Sequence, residues 1–236
     1  MDFNIHVFGG ISITDSIQFL ITDTTVSTWI VMGIILVFAV IVRVKISKVD
    51  PLAKPTGLQN LVETCVDGWE KFYGANTNPT VMYLAPWFFT LFIFLFLSNA
   101  LGVTGLRPPT ADWGMTFPLA LSTFFLIQFA GIRHRPKAYL KSIFLEPVFV
   151  FAPLNVIGEL ARPISLSFRL FGNIFGGLVL VSLLYGLLLN LPWFIAMLIP
   201  LPVPLHMVFD LAVGALQAVI FTMLSLTFVG LAAVDG

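Results

Sequence analysis

The sequence is poor in charged residues and nearly devoid of cysteine. Of its 236 residues only 10% are charged and 58% are hydrophobic, whereas a soluble domain carries roughly 25% charged residues. A water-soluble core of this length could not bury so much apolar surface, which excludes soluble enzymes as a class. The single cysteine, Cys65, can form neither an intrachain disulfide nor a cysteine metal cluster, and we interpret it as a packing residue. The composition predicts a protein embedded in a lipid bilayer.

The chain also lacks net charge and an N-terminal basic region. Its 12 Lys and Arg residues balance 12 Asp and Glu residues, so no net positive field would attract nucleic acid. The first 25 residues contain no Lys or Arg, unlike a signal peptide or a mitochondrial presequence. The first hydrophobic span must then act as its own insertion signal. This favours a bacterial plasma membrane, although an organelle-encoded protein would need no targeting segment either.

Long apolar runs predict an all-α integral membrane protein with about five membrane-embedded helices and one interfacial helix. The first span is expected at 26–42, the amphipathic interfacial helix near 57–73, and the next two spans at 83–101 and 115–131. The interfacial helix is expected to lie either in the headgroups or against a partner subunit. Basic clusters follow the first span, from Arg43 to Lys54, and the third span, from Arg133 to Lys141. The positive-inside rule places both clusters in the cytoplasm, with the N-terminus outside and the C-terminus in the cytoplasm.

The region 147–236 has a different composition. It holds two long apolar stretches separated by a proline-rich turn at 191–204, and we expect a long, tilted helical hairpin. A helix over 148–189 would be about 60 Å long, twice the hydrocarbon thickness. It must tilt or bend, and Pro153 and Pro163 are the expected positions of a bend. Four charged residues occur between positions 147 and 234: Glu159, Arg162, Arg169 and Asp210.

Polar residues of both long helices fall on narrow stripes at 100° per residue. The first helix carries Asn155, Glu159, Arg162, Ser165, Arg169 and Asn173 on one face, and the second carries His206, Asp210 and Gln217. Gly172 and Gly176 fall beside Arg169, where small residues would let another helix approach closely. Facing each other, the stripes would line a wet path between apolar helices.

Arg169 is the least easily explained of these residues. Its neighbours three and four positions away offer no carboxylate, and an arginine at mid-bilayer costs at least about 2.5–3.5 kcal/mol. A partner is therefore expected, either on another chain or at Asp210 on the next helix. Glu159 and Arg162, three residues apart, are spaced to form an ion pair, which serves either structure or function.

Three segments resemble one known family. ELARPISLSFRLFGNIFGG (159–177), FDLAVGALQAVIF (209–221) and the loop PTADW (109–113) are similar to subunit a of the F-type ATP synthases. The resemblance implies that Arg169 is the family's essential arginine, facing a ring of c subunits that each carry a membrane-buried carboxylate. It implies two offset half-channels for H⁺ or Na⁺, one opening on each side of the membrane. The implied roles place Asn173 and Gln217 beside the arginine, Asp210 on the outer path, and Glu159 and Ser165 toward the cytoplasm.

The resemblance also implies partners and a division of the chain. The partners are the c-subunit ring, the b-subunit peripheral stalk and the other synthase subunits, and the chain itself is expected to bind no nucleotide, cofactor or metal. The division is an extracytoplasmic segment at 1–25, transmembrane spans at 26–146 and an ion-translocating hairpin at 147–236. One departure is visible, because Leu178 stands where many relatives carry an acidic residue or His. A stand-alone transporter is the competing class, but no inverted repeat supports it, and a membrane anchor would leave Arg169 unexplained.

Overall fold

The computed structural model of the chain describes residues 7–14, 17–47, 57–144, 149–190, 204 and 207–234. Within these ranges, five helical segments are long and apolar enough to cross a membrane, as the hydrophobic runs predict. We number the α-helices in chain order. They are α1 (Asp23–Ile46), α2 (Gly57–Asn76), α3 (Ala85–Ala100), α4 (Trp113–His134), α5 (Pro136–Phe144), α6 (Ala152–Leu189) and α7 (Gly214–Ala233).

Shorter helical turns extend several of these helices. The 3₁₀ turns Pro79–Leu84 and Leu101–Thr104 flank α3, Pro109–Ala111 precedes α4, and Phe149–Phe151 precedes α6. A π-helix, Met207–Val213, leads directly into α7. Apart from an N-terminal β-hairpin, the described chain is thus an all-α integral membrane protein, as predicted, with α2 as the amphipathic helix outside the candidate spans.

An N-terminal hairpin is the element that the all-α prediction did not include. Strands β1 (Val7–Thr14) and β2 (Ile17–Thr22) pair antiparallel, with Gly10 opposite Leu20. The hairpin precedes α1 and adds a small β-element to the helical bundle.

The long helix α6 corrects one expectation about its prolines. Pro153 lies in the first turn of α6, where a missing N–H costs no helical hydrogen bond, so it begins the helix instead of bending it. Pro163 lies inside the 38-residue helix. The basic segment after α4, expected only as a cytoplasmic connection, contains the helix α5. The predicted proline-rich turn, apart from Pro204, lies outside the described residues, as does His206.

Asp112 forms hydrogen bonds with the first turns of two spans. Its Oδ1 accepts a hydrogen bond from the Gly114 backbone N–H at 2.9 Å and so caps α4. Its Oδ2 accepts a hydrogen bond from the Thr24 hydroxyl in the first turn of α1, at 3.1 Å. Both helices therefore begin at the same end of the bundle, which we call the Asp112 end.

Helix α7 occupies the centre of the bundle. It packs against α3 and α4, contacts α6, and meets α2 near its own C-terminus. The core consists mainly of large apolar side chains from these helices, including Phe88, Leu95, Ile127, Leu170 and Phe221. At the opposite end from Asp112, helix α5 packs on α4 and α6, and its buried Tyr139 lies against Gly131 of α4. We call this the Tyr139 end.

Candidate functional site

Three contacts set the antiparallel register of the two polar helices. The Arg162 guanidinium lies 5.1 Å from the ring centroid of Phe228. Asn173 Nδ2 donates a hydrogen bond to Gln217 Oε1 at 2.8 Å. A Cβ atom at Gly177 would lie 3.3 Å from the Phe209 ring. Helix α6 therefore runs from the Tyr139 end toward the Asp112 end, and α7 runs back beside it.

Arg169 lies on the outward side of α6. Its neighbours Leu166 and Leu170 are 3% and 0% exposed and face the core, while Arg169 itself is exposed. Among the described residues its side chain forms no ion pair and no hydrogen bond, so the structure does not pair it with Asp210. Cβ atoms built at Gly172 and Gly176 would meet no described atom within 4 Å. The arginine therefore stands beside an open, small-residue surface.

The Asn173–Gln217 hydrogen bond joins α6 to α7 one turn beyond Arg169. Gln217 is 1% exposed, and its Nε2 is buried with no acceptor among the described residues. A buried, unsatisfied amide N–H typically costs about 1–3 kcal/mol. This group is therefore an available hydrogen-bond donor at the level of the arginine.

Asp210 lies in the π-helix, 9% exposed, against the end of α3. A Cβ atom at Gly102 would lie 2.8 Å from Asp210 Cγ, so the carboxyl group occupies space that only a glycine leaves open. Single π-helical turns are rare and occur often at functional sites. Gly177 on α6 contacts the neighbouring Phe209, which brings Leu178 to the level of this turn.

Asn99 holds the junction between the π-helix and α7. Its Nδ2 donates a hydrogen bond to the Gly214 carbonyl at 2.9 Å, and its Oδ1 accepts one from the Thr110 hydroxyl at 2.5 Å. A Cβ atom at Gly214 would lie 2.6 Å from Asn99 Cβ. Sequence reasoning missed Asn99, Gly102 and Thr110, although an amide within an apolar span such as Asn99 is itself a signal.

Glu159 lies toward the Tyr139 end of α6. Its Oε1 lies 2.9 Å from Arg162 Nη1, which confirms the ion pair predicted from the three-residue spacing. Its Oε2 accepts a hydrogen bond from Gln128 Nε2 on α4 at 3.3 Å. Ser165 is exposed on α6 between this pair and Arg169.

The polar residues thus form three separate groups along the bundle. Glu159 precedes Arg169 by ten residues, or about 15 Å of helix, and Asp210 lies at the opposite end, beside Gly102. Asn173 and Gln217 are joined by a hydrogen bond, and Glu159 is paired with Arg162. Among the described residues there is no cluster of three or more His, Cys, Asp or Glu side chains that could hold a metal ion.

Comparisons with known proteins agree on one family for this chain. A family model described as "ATP synthase A chain" matches residues 25–230. The chain is 36% identical over 215 residues to ATP synthase subunit a of Moorella thermoacetica, an alignment that covers 89% of each protein. It is 34% identical to ATP synthase subunit a 2 of Acaryochloris marina, with 91% of this chain and 86% of the relative covered. ATP synthase subunit a of Trichlorobacter lovleyi is 32% identical, with 88% and 85% covered.

Proposed function

Since the chain belongs to the family of ATP synthase A chains, the membrane-sector subunit a, we propose that it passes ions through that sector onto a rotating ring of c subunits. In this role the chain is a stationary subunit and performs no nucleotide chemistry itself. It supplies two separate ion paths and one arginine between them. The c ring and the b-subunit peripheral stalk are its proposed partners.

The proposal depends mainly on the position of Arg169. The guanidinium is permanently charged, it is exposed on a helix long and apolar enough to span the membrane, and it has no countercharge among the described residues. Placing such a charge in a bilayer costs at least about 2.5–3.5 kcal/mol, so a partner outside this chain is expected. A carboxylate on each c subunit would be that partner, met in turn as the ring rotates.

Electrostatic attraction explains why each ring carboxylate gives up its ion when it reaches Arg169. An arginine about 4 Å from a carboxylate, at an effective dielectric constant of about 20, favours the ionised carboxylate by about 4 kcal/mol. A ring carboxylate that arrives at Arg169 therefore releases its ion. The same positive charge repels a cation that would cross directly from one path to the other.

The surface beside Arg169 suits the approach of a ring helix. Gly172 and Gly176 leave space open to the outside of the bundle, and small residues allow close helix packing in membranes. Phe168 is partly exposed nearby, with its ring stacked on that of Trp113 of α4 at 5.9 Å between centroids. We assign the hairpin at 147–236 to the ring-facing part of the chain.

The outer and inner paths are assigned to the two ends of the bundle. The Asp112 end holds Asp210, and the Tyr139 end holds Glu159, with Ser165 between Glu159 and Arg169. The basic residues Arg133, Arg135, Lys137 and Lys141 lie in or beside α5 at the Tyr139 end. By the positive-inside rule this end faces the cytoplasm. The N-terminus then lies outside and the C-terminus inside, and we propose the plasma membrane of a bacterium as the location.

The decisive experiment is substitution of Arg169 in the assembled complex. Arg169→Ala is expected to abolish ATP synthesis driven by an ion gradient while leaving the subunit composition of the complex unchanged. Arg43→Ala, an exposed arginine in the last turn of α1, is the matched control and should retain synthesis. Coupled synthesis at the normal rate in the Arg169→Ala complex would overturn the proposal.

A second measurement distinguishes the proposed function from that of a stand-alone transporter. The purified chain is reconstituted alone in liposomes, and ion or solute flux is recorded. We expect no flux without the ring, because the two paths end at different levels of the bundle. Sustained flux by the isolated chain would favour the transporter instead.

A further inference from the structure

A cleft opens between α4, α5 and α6 at the Tyr139 end. Its volume is about 260 Å³, which is ample for several water molecules at about 30 Å³ each. Most of its wall is apolar, and its polar lining comes from two side chains, Gln128 and Glu159. The remaining lining residues are Phe124, Leu140, Ile143, Phe144, Val156 and Leu160.

Three side chains form a hydrogen-bonded series behind this cleft. The Tyr139 hydroxyl donates to Gln128 Oε1 at 3.1 Å, and Gln128 Nε2 donates to Glu159 Oε2 at 3.3 Å. An amide can present either its oxygen or its nitrogen in a given direction. Because the tyrosine hydroxyl donates to the oxygen, the amide nitrogen is the end that faces the carboxylate.

The Tyr139 ring is held by a matched cavity on α4. The residue is 5% exposed, and a Cβ atom at Gly131 would lie 2.7 Å from three of its ring atoms. Burial raises the pKa of the Tyr139 phenol to about 12, and the nearby negative charge of Glu159 acts in the same direction. The hydroxyl therefore remains a neutral donor at any physiological pH.

We propose that Tyr139 is a positioning residue for the inner ion path, and that the cleft is the entrance to that path. By fixing the Gln128 amide, Tyr139 holds the Glu159 carboxylate at the wall of the cleft, where water can reach it. Arg162 Nη1 also holds the carboxylate, 2.9 Å from Oε1 and 3.0 Å from Oε2. The inference rests on the proposed function, because it requires that Glu159 lie on the path to Arg169.

The test compares passive ion flow through vesicles that contain the membrane sector without its catalytic head. Tyr139→Phe keeps the ring in its cavity and removes only the hydroxyl. We expect it to slow passive flow about three- to tenfold, the size of one hydrogen bond. Tyr83→Phe is the matched control, because Tyr83 is exposed and packs near Arg133, and it should leave the flow unchanged.

A double-mutant cycle separates positioning from a general structural effect. If Tyr139 acts through Glu159, then Tyr139→Phe combined with Glu159→Gln conducts no more slowly than Glu159→Gln alone. The infrared carboxylate band that disappears in Glu159→Gln should also shift in Tyr139→Phe. Unchanged flow in Tyr139→Phe, additive losses in the double variant, or an unshifted band would each overturn the inference.

A second substitution, at Gly131 on α4, perturbs the same hydrogen-bonded series of Tyr139, Gln128 and Glu159. Gly131→Ala pushes on the Tyr139 ring, and in assembled complexes it should slow passive flow at least as much as Tyr139→Phe does.

Failure of the inference can be told apart from failure of the proposed function. Normal flow in Tyr139→Phe, with flow slowed in Glu159→Gln and ATP synthesis lost in Arg169→Ala, would reject only the role of Tyr139. Normal synthesis in Arg169→Ala would reject the function itself.

Discussion

The carboxyl group of Asp210 occupies the space that a side chain at position 102 would need. A Cβ atom at Gly102 would lie 2.8 Å from Asp210 Cγ and 3.1 Å from its Oδ1. The two residues belong to different spans, and the contact places the carboxylate against the end of α3. The missing side chain at 102 therefore sets the location of the proposed outer path.

Gly102→Ala should disturb Asp210 directly. The added methyl group overlaps the carboxyl group, and such overpacking typically costs about 1–3 kcal/mol. We expect lower stability of the membrane sector and slower passive ion flow in head-free vesicles. Gly33→Ala in α1 is the control, because a Cβ atom there meets no described atom within 4 Å. Equal flow in the two variants would show that the Gly102 contact does not position Asp210 for conduction.

Asp210→Asn should slow passive ion flow while leaving the shape of the site nearly unchanged. Asparagine is almost isosteric with aspartate but cannot exchange a proton or carry negative charge at this point. Since Leu178 offers no titratable group nearby, the loss should not be compensated at that position. Flow is measured in head-free vesicles, with Asp67→Asn on exposed α2 as the control. An undiminished rate would remove Asp210 from the path.

The Asn173–Gln217 hydrogen bond should contribute a measurable coupling energy. Interhelical hydrogen bonds in membranes average about 0.6 kcal/mol and reach about 1.7 kcal/mol. A double-mutant cycle with Asn173→Ala and Gln217→Ala, read from unfolding of the solubilised membrane sector, should give a coupling in this range. Strict additivity would mean that the 2.8 Å contact contributes nothing to stability.

Alkaline pH should weaken the contribution of Tyr139 to stability. Its pKa is raised from 10.0 to about 12 by burial and by Glu159, so the folded state holds a proton that the unfolded state has already lost. The stabilisation is fully present below pH 10 and is lost as the pH rises toward 12. The difference in unfolding free energy between the unmodified protein and Tyr139→Phe should therefore shrink over this interval. A difference independent of pH would contradict the raised pKa.

The spans and the polar stripes could be predicted because local sequence determines them. Apolar run length and flanking basic residues define the crossings, and the helical period alone places Arg169, Asn173 and Glu159 on one face of α6. The spacing of Glu159 and Arg162 was enough to predict their ion pair, which the structure contains. Each of these features depends on one helix at a time.

The features that could not be predicted depend on which helices are neighbours. A helical wheel shows the direction of a side chain but not the partner that it meets, so the contacts of Gly102 with Asp210 and of Gly131 with Tyr139 were not anticipated. The π-helix around Asp210 likewise needs tertiary contacts that favour one extra residue per turn. The N-terminal hairpin is different, because two β-prone stretches, VFGGISIT and IQFLIT, were available as a local signal.

The central position of α7 has a consequence for how the protein is made. The span that contains this helix, Met207–Ala233, is the most enclosed of the five candidate spans in the described chain, with 44% of its apolar stretch buried against 33% or less for the others. It is synthesised after every helix that it packs against, so translation of most of the chain leaves the bundle without its centre. Until Gly214 arrives, the amide of Asn99 lacks the carbonyl to which it donates, and an unpaired amide in hydrocarbon is costly. A chain stopped before α7 would thus be recognisably unfinished, and proteases that remove misfolded proteins could distinguish it from the complete one.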